Sequence, residues 1–258
     1  MVDSHSHQSP KNVNALLLDI EGTTTPVDFV YKTLFPYARL HLASYLAKSF
    51  EAEDRAMLLE EYHSDSSAEK PLWNEPPIDY ILWLMDHDRK VRALKSIQGR
   101  IWENGYRNGA LRGVLFPDVA PALRRWKSSD KKIFIYSSGS VKAQRLLFEN
   151  SIDGDLSQLI DGYFDTEVGS KKETTSYKTI LIRINLPANE CLFISDVTAE
   201  CQAAHDAEFN VLLSVRPGNE PQDSLFPKIN SLDEIFFYPE QIDIRKPLTT
   251  RSNHVKSN

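Results

Sequence analysis

The 258-residue sequence predicts an α/β fold: a doubly wound, mostly parallel sheet with an inserted all-helical cap. Three observations carry the prediction. Short apolar runs each stop at a polar residue. Helical patterns lie between several of these runs. The stretch 29–112 contains no strand run at all.

The first run is Ala15–Leu18, which ends at Asp19. Ile133–Tyr136 ends at Ser137, and Leu192–Ile194 ends at Ser195 and Asp196. Val211–Val215 precedes Arg216-Pro217-Gly218. Continuous apolar runs of this length suit strands buried on both faces, as in a parallel sheet. Between them, Val141–Phe148 and Ser176–Ile184 carry apolar residues at helical spacing. Alternation of strands and helices argues for helices on both faces of one sheet. Within 29–112, one apolar series is Leu34, Tyr37, Ala38, Leu42, Tyr45 and Leu46. A second runs from Ile78 to Ile97, and Met57–Leu59 suggests a further helix. His63–Pro77 is polar, holds Pro71, Pro76 and Pro77, and reads as a loop.

The expected organisation is a tail over 1–11, an α/β core over 12–28 and 113–244, a helical cap over 29–112, and a flexible basic tail over 245–258. His5 and His7 fall in the first tail, where a solvated segment is the better reading than a metal site. The length allows one large domain or two modest ones.

Composition excludes several classes. The chain is 41% hydrophobic and 26% charged, which suits a globular protein with a sizeable core. No apolar run is long enough to span a membrane, and the polar start does not read as a secretory leader. Net charge is −6, against a nucleic-acid partner that would need a broad basic face. The final tail holds Arg245, Lys246, Arg251 and Lys256 without an acid, so the remainder carries −10. Two cysteines, Cys191 and Cys201, are too few for a disulfide framework. A reducing, cytoplasmic setting is expected, extending to the nucleus in a eukaryote, with both thiols buried and inert.

Four places at predicted strand ends carry chemistry. Ligands of doubly wound sheets bind just outside those ends, so residues distant in sequence meet there. Asp19-Ile20-Glu21-Gly22-Thr23-Thr24-Thr25 offers a carboxylate nucleophile for a phosphoryl group and a second carboxylate for acid/base work. Gly22 permits the turn that brings both to the crevice. Ser137-Ser138-Gly139-Ser140 offers hydroxyls and free N–H groups to an anion at a helix start. Lys171, in Val168-Gly169-Ser170-Lys171-Lys172, would neutralise phosphate charge, with Lys172 as its solvated neighbour. Asp196, in Ser195-Asp196-Val197-Thr198-Ala199-Glu200, would complete an oxygen site for Mg²⁺ with Asp19. Thr198 and Glu200 read as loop and helix-start residues. Taken alone, the acid and serine places are open to a plain capping role, and the lysine to a solvated one. The order acid, hydroxyl, lysine, acid, at spacings of 118, 34 and 25 residues, is far more specific than any part.

DIEGTTT, YSSGS, GSK and SDVTAE resemble the four motifs of the haloacid dehalogenase-like hydrolases, in order and spacing, from Asn12 to about Tyr238. Most of those hydrolases carry Asp two residues after the nucleophile, where this chain has Glu21. With SVRPGN and QGRIWENGYRNGALRG, the set is similar to the enolase-phosphatase E1 family of methionine salvage. That resemblance implies a bifunctional enzyme. It would enolise 2,3-diketo-5-methylthiopentyl-1-phosphate and then remove its phosphate to give the acireductone. It implies Asp19 as nucleophile and metal ligand, and Glu21 as acid/base and metal ligand through carboxylate or main chain. Ser137, Ser138 and Lys171 would bind the phosphate, and Asp196 would bind the metal. One Mg²⁺ per subunit, a small phosphorylated substrate, no nucleic acid, no membrane and a monomer are expected. Phe29, Tyr31, Trp102 and Tyr106 could wall the methylthio end, or simply pack in the core. A phosphatase for another phosphomonoester, a phospho-aspartate signalling module and a silent binding protein are the alternatives.

Overall fold

The computed structural model describes residues 13–237; both tails, with His5, His7 and the basic cluster, lie outside the described residues. Six strands, β1 (Ala15–Leu18), β2 (Lys132–Tyr136), β3 (Gly162–Phe164), β4 (Cys191–Ser195), β5 (Asn210–Ser214) and β6 (Lys228–Ile229), form one sheet. Its order is β3-β2-β1-β4-β5-β6, and every pairing is parallel. β1 lies between β2 and β4, so the chain winds first to one side of it and then to the other. That reversal is the switch point at which such sheets bind ligands.

Side chains of the central strands alternate between two buried faces. Leu16, Leu18, Ile133, Ile135, Leu192 and Ile194 meet Leu123 and Trp126 of α6 (Val119–Ser128) and Leu147 and Phe148 of α7 (Val141–Glu149). Ala15, Leu17, Phe134, Tyr136 and Phe193 meet Tyr177 and Ile180 of α8 (Thr174–Ile184) and Ala203 and Ala204 of α9 (Thr198–His205). Burial on both faces explains why the runs are apolar without alternation. Both cysteines are buried free thiols, each pushed up to about 12 by burial.

The helical stretch follows β1. A short α1 (Val27–Phe29) and a π-helical turn (Val30–Leu34) lead into α2 (Phe35–Ser49), then α3 (Ala52–Ser64), α4 (Ile78–Asp86) and α5 (Arg92–Arg107). These helices bury their own cluster, with Leu42, Leu58, Ile81, Leu84, Ile97 and Ile101 at its centre. The fully buried Asp54 carboxylate accepts from Tyr45 Oη at 2.7 Å and Ser96 Oγ at 2.6 Å, and lies 2.8 Å from Arg100 Nε. It thereby ties α2, α3 and α5 together.

Some elements differ from the sequence reading. The Ile78–Ile97 series divides into α4 and α5 because the chain turns at Asp88, whose φ is +46°. The fourth run is displaced by one residue, with Val215 out of the strand and 40% exposed. β3 and β6 were not expected; three and two residues are too few to leave a periodic signal.

The loop after β5 locks the loop after β1. Arg216, buried, donates Nη1–H to Asp118 Oδ2 at 2.7 Å and Nε–H to Thr23 O at 3.3 Å. The same Asp118 oxygen accepts from Ser231 Oγ and Leu232 N. Burial would raise the Asp118 carboxyl, but Arg216 and these donors hold it below its ordinary value. Breaking one partner of a buried ion pair strands the other charge. Arg216→Leu is therefore expected to lower unfolding free energy by about 3–5 kcal/mol, read from urea denaturation. A loss below about 1 kcal/mol would mean that the pair is not what holds this loop.

Candidate active site

The carboxyl ends of β1, β2 and β4 bring the motif residues together. Asp19 follows β1 directly and is 2% exposed. The loop behind it closes on itself: Thr23, Thr24 and Thr25 N–H groups donate to Ile20 O, and Thr24 Oγ1 donates to Asp19 O at 3.1 Å. Neither Asp19 nor the threonines cap the next helix, whose N-cap is Pro26 with no side-chain bond.

Lys171 reaches in from the loop before α8, 8% exposed, while Lys172 faces solvent. Its Nζ lies 2.5 Å from Asp19 Oδ1 and 2.7 Å from Glu200 Oε2. Burial would weaken the ammonium, but the two carboxylates hold its pKa above the ordinary lysine value. Ser195 Oγ stands 3.0 Å from Asp19 Oδ2 and 2.9 Å from Glu200 Oε2. Its single proton can serve only one of them at a time.

Glu200 is thus more than the helix-start residue the sequence suggested. It shares the Lys171 ammonium with Asp19. Burial and the Asp19 charge push it up to about 7, against the pull of Lys171. The spacing of one helical turn from Asp196 was the only sequence signal for it.

Ser137 Oγ donates to Glu21 Oε2 at 3.2 Å and accepts from Gly139 N–H. Burial, then the Asp19 charge, raises the Glu21 carboxyl above its ordinary value; Lys171 and Ser137 oppose the shift. Capping of α7 falls to Ser140, which accepts from Ala143 N–H. That leaves Ser137 and Ser138 free of the capping duty. Asp196 is not a cap either, since Val197 takes that position on α9 without a side-chain bond. Burial and the Asp19 charge push Asp196 up to about 7.

Gly22 sits where these groups converge. Its φ is +70°, and a Cβ there would overlap Asp196 Oδ2 and lie 2.9 Å from Asn219 Oδ1. Asn219 Nδ2 and Ser214 Oγ both donate to Gly22 O. SVRPGN is therefore the outer clamp on the Asp19 loop.

Beside these residues lies a cavity of about 460 Å³. Glu21, Ser137 and Ser138 border it on the sheet side, while Phe29, Leu34, Phe35, Leu94 and Trp102 supply apolar wall. Tyr31 also lines it, but Tyr106 does not; Tyr106 is buried against Leu111 and Leu146. Lys95 of α5 crosses to the core, donating to Ser138 O at 3.0 Å and Thr166 Oγ1 at 3.2 Å.

A haloacid dehalogenase-like hydrolase family model matches residues 13–208. An enolase-phosphatase E1 of Synechococcus elongatus is 47% identical over 235 residues, covering 88% of this chain and 99% of its own. The chain belongs to the enolase-phosphatase E1 family of haloacid dehalogenase-like hydrolases. Members from Cronobacter sakazakii and Salmo salar are 43% and 42% identical, over 89% and 81% of this chain and 99% and 88% of their own. The crystal structure of the UTR4 protein from Saccharomyces cerevisiae superposes with a TM-score of 0.71 at 35% identity, over 85% of this chain and 98% of that one. CbbY from Rhodobacter sphaeroides, solved with xylulose-1,5-bisphosphate, shares the fold at 15% identity and a TM-score of 0.57, over 86% and 96%. The enolase-phosphatase E1 chain is accordingly an enzyme, a hydrolase of the phosphatase kind. Among the described residues, no helix is long and apolar enough to cross a membrane.

A left-handed glycine packed against a carboxylate tolerates no side chain. Gly22→Ala is expected to cut phosphate release at least about 100-fold, with a stability loss of about 1–3 kcal/mol. Near-normal turnover in a phosphate-release assay would show that Asp196 need not stand where it does.

Proposed function

We propose that the chain is a Mg²⁺-dependent enolase-phosphatase of methionine salvage. It would take 2,3-diketo-5-methylthiopentyl-1-phosphate through enolisation and then dephosphorylation to 1,2-dihydroxy-3-keto-5-methylthiopentene. The relatives' shared name supports this reading. So does the single observation that carries it: the buried Asp19 carboxylate, held by Lys171 at 2.5 Å, beside a half-buried Glu21 at the cavity edge.

In this scheme Asp19 attacks phosphorus, the ester P–O bond breaks, and the phosphoryl group moves to the carboxylate. Glu21 protonates the departing oxygen, a role suited to a carboxyl raised above its ordinary value. It then takes a proton from the water that attacks the aspartyl phosphate. Lys171, Ser137 and Ser138 hold the phosphate oxygens. Glu21 is also the cavity's carboxylate nearest the nucleophile in sequence. If it accepts the substrate's C–H proton in the first step, it holds the proton that the second step requires.

The donor set fits Mg²⁺, a hard cation that takes oxygen ligands. Asp19 and Asp196 would hold it with the Glu21 main-chain carbonyl. When bound, the ion offsets carboxylate repulsion and polarises the phosphoryl group. Residues 29–112 act in this scheme as a cap over the site, excluding water. The enzyme works as a monomer with one ion per subunit.

Asp19→Asn should abolish phosphate release from the diketo phosphate and leave the unfolding transition in place. Retained turnover would refute the nucleophile. Chelation by EDTA should likewise stop turnover, and added Mg²⁺ should restore it; activity indifferent to both would remove the metal from the scheme. Ultraviolet detection of the enediol separates this enzyme from a plain phosphomonoesterase, which would show none.

A further inference from the structure

The cavity's polar groups on the helical side are nearly all committed. Arg39 pairs with Asp86, Arg89 with Asp65, and Lys90 with Asp88. Lys95 is held by Ser138 O and Thr166 Oγ1. The Trp102 indole N–H donates to Leu34 O at 2.8 Å, so it brings hydrocarbon rather than a donor.

Gln98 is the buried exception; the Tyr31 hydroxyl, also without a partner among the described residues, belongs to a side chain that is 58% exposed. It lies on α5, one turn after Lys95 and one turn before Trp102, and all three line the cavity. At these spacings they share one stripe of the helix. Gln98 is 8% exposed, and among the described residues its carboxamide has no hydrogen-bond partner. The carboxamide opens onto the cavity rather than being sealed in protein, so its donor and acceptor are available to a molecule bound there. The neighbouring wall is apolar, so neither burial nor packing accounts for an amide there. Glu21, Ser137 and Ser138 border the same cavity.

We propose that Gln98 is the specificity-determining residue for the carbonyl end of the substrate, its Nε2–H donating to a carbonyl oxygen of a vicinal dicarbonyl phosphate. The inference rests on the enolase-phosphatase reading and deepens it. In enolisation a C–H bond breaks and its proton passes to a carboxylate. The C–H electron pair forms the C=C bond, and the C=O π pair moves onto oxygen. Charge therefore grows on the atom Gln98 faces, and a fixed donor is worth more as it grows. A carboxamide suits the task because it does not ionise, so it donates at any working pH. Its position separates two jobs. The strand ends engage the phosphate, which every phosphomonoester has, while Gln98 engages oxygens that only a carbonyl substrate offers.

The test uses the full chain with Mg²⁺ and two substrates: the diketo phosphate and p-nitrophenyl phosphate, which has no carbonyl. For Gln98→Met, similar in size but without the donor, kcat/KM on the diketo phosphate should fall about 100-fold, mainly in kcat. The fall on p-nitrophenyl phosphate should be at least tenfold smaller, and the enediol absorbance should fade with the diketo activity. Gln98→Glu, which replaces donor by acceptor, should show the same split. Parallel losses on both substrates, or a diketo rate near normal in either variant, would overturn the proposal. Those outcomes leave the enolase-phosphatase reading intact. Wild-type protein that releases phosphate from p-nitrophenyl phosphate but not from the diketo phosphate would overturn that reading and this one with it.

Discussion

Repulsion among carboxylates is the constraint around which this molecule is arranged. Asp19, Glu21, Asp196 and Glu200 share one crevice with a single ammonium, that of Lys171. Burial first, and then the Asp19 charge, opposes ionisation of Asp196, Glu200 and Glu21 and raises all three carboxyls. Lys171 relieves Asp19 and Glu200 together, and Ser195 lends its hydroxyl to the same two. In the proposed scheme a small divalent cation beside Asp19 would offset the charge that remains. An acidic protein can then handle an anionic ester, because the local sign differs from the global one.

The fold and the centre of the site were legible for different reasons. Parallel strands buried on both faces leave unbroken apolar runs, so β1, β2, β4 and β5 stand out. β3 and β6 are too short for that signal, and they pair at the sheet's outer positions. Asp19, Ser137, Lys171 and Asp196 were readable because each follows an apolar run or a glycine at a set distance. Gln98 and Lys95 were not, because on an amphipathic helix a polar residue normally faces water. Only three-dimensional packing shows that this stripe of α5 meets a cavity instead. Glu200 hid in the same way, behind the commonplace of an acid in a helix's first turn. Tyr106 was the reverse case, an aromatic that serves packing alone.

The two halves of the site thus have different origins. Strand ends supply groups whose spacing hardly varies, because the sheet sets the distance between neighbouring strands. The helical segment supplies the walls, and its own buried network around Asp54 keeps it stiff without help from the sheet. A stiff wall can hold an amide at a fixed point opposite the reacting groups. Lys95 is the strap between the halves, since it joins α5 to the loops after β2 and β3.

Arg216 has a consequence for how the molecule is made. The Asp19 loop sits near the start of the chain, yet its backbone is gripped by residues almost two hundred positions later. Asp118 in turn waits for Ser231 and Leu232. Contacts of such high sequence separation form late, since the intervening chain must first be ordered. On the ribosome, the Asp19 loop emerges early and stays unclamped until nearly the last described residues have followed. Asp19 therefore reaches its final surroundings only when the sheet is complete, so a nascent or prematurely ended chain lacks a finished crevice.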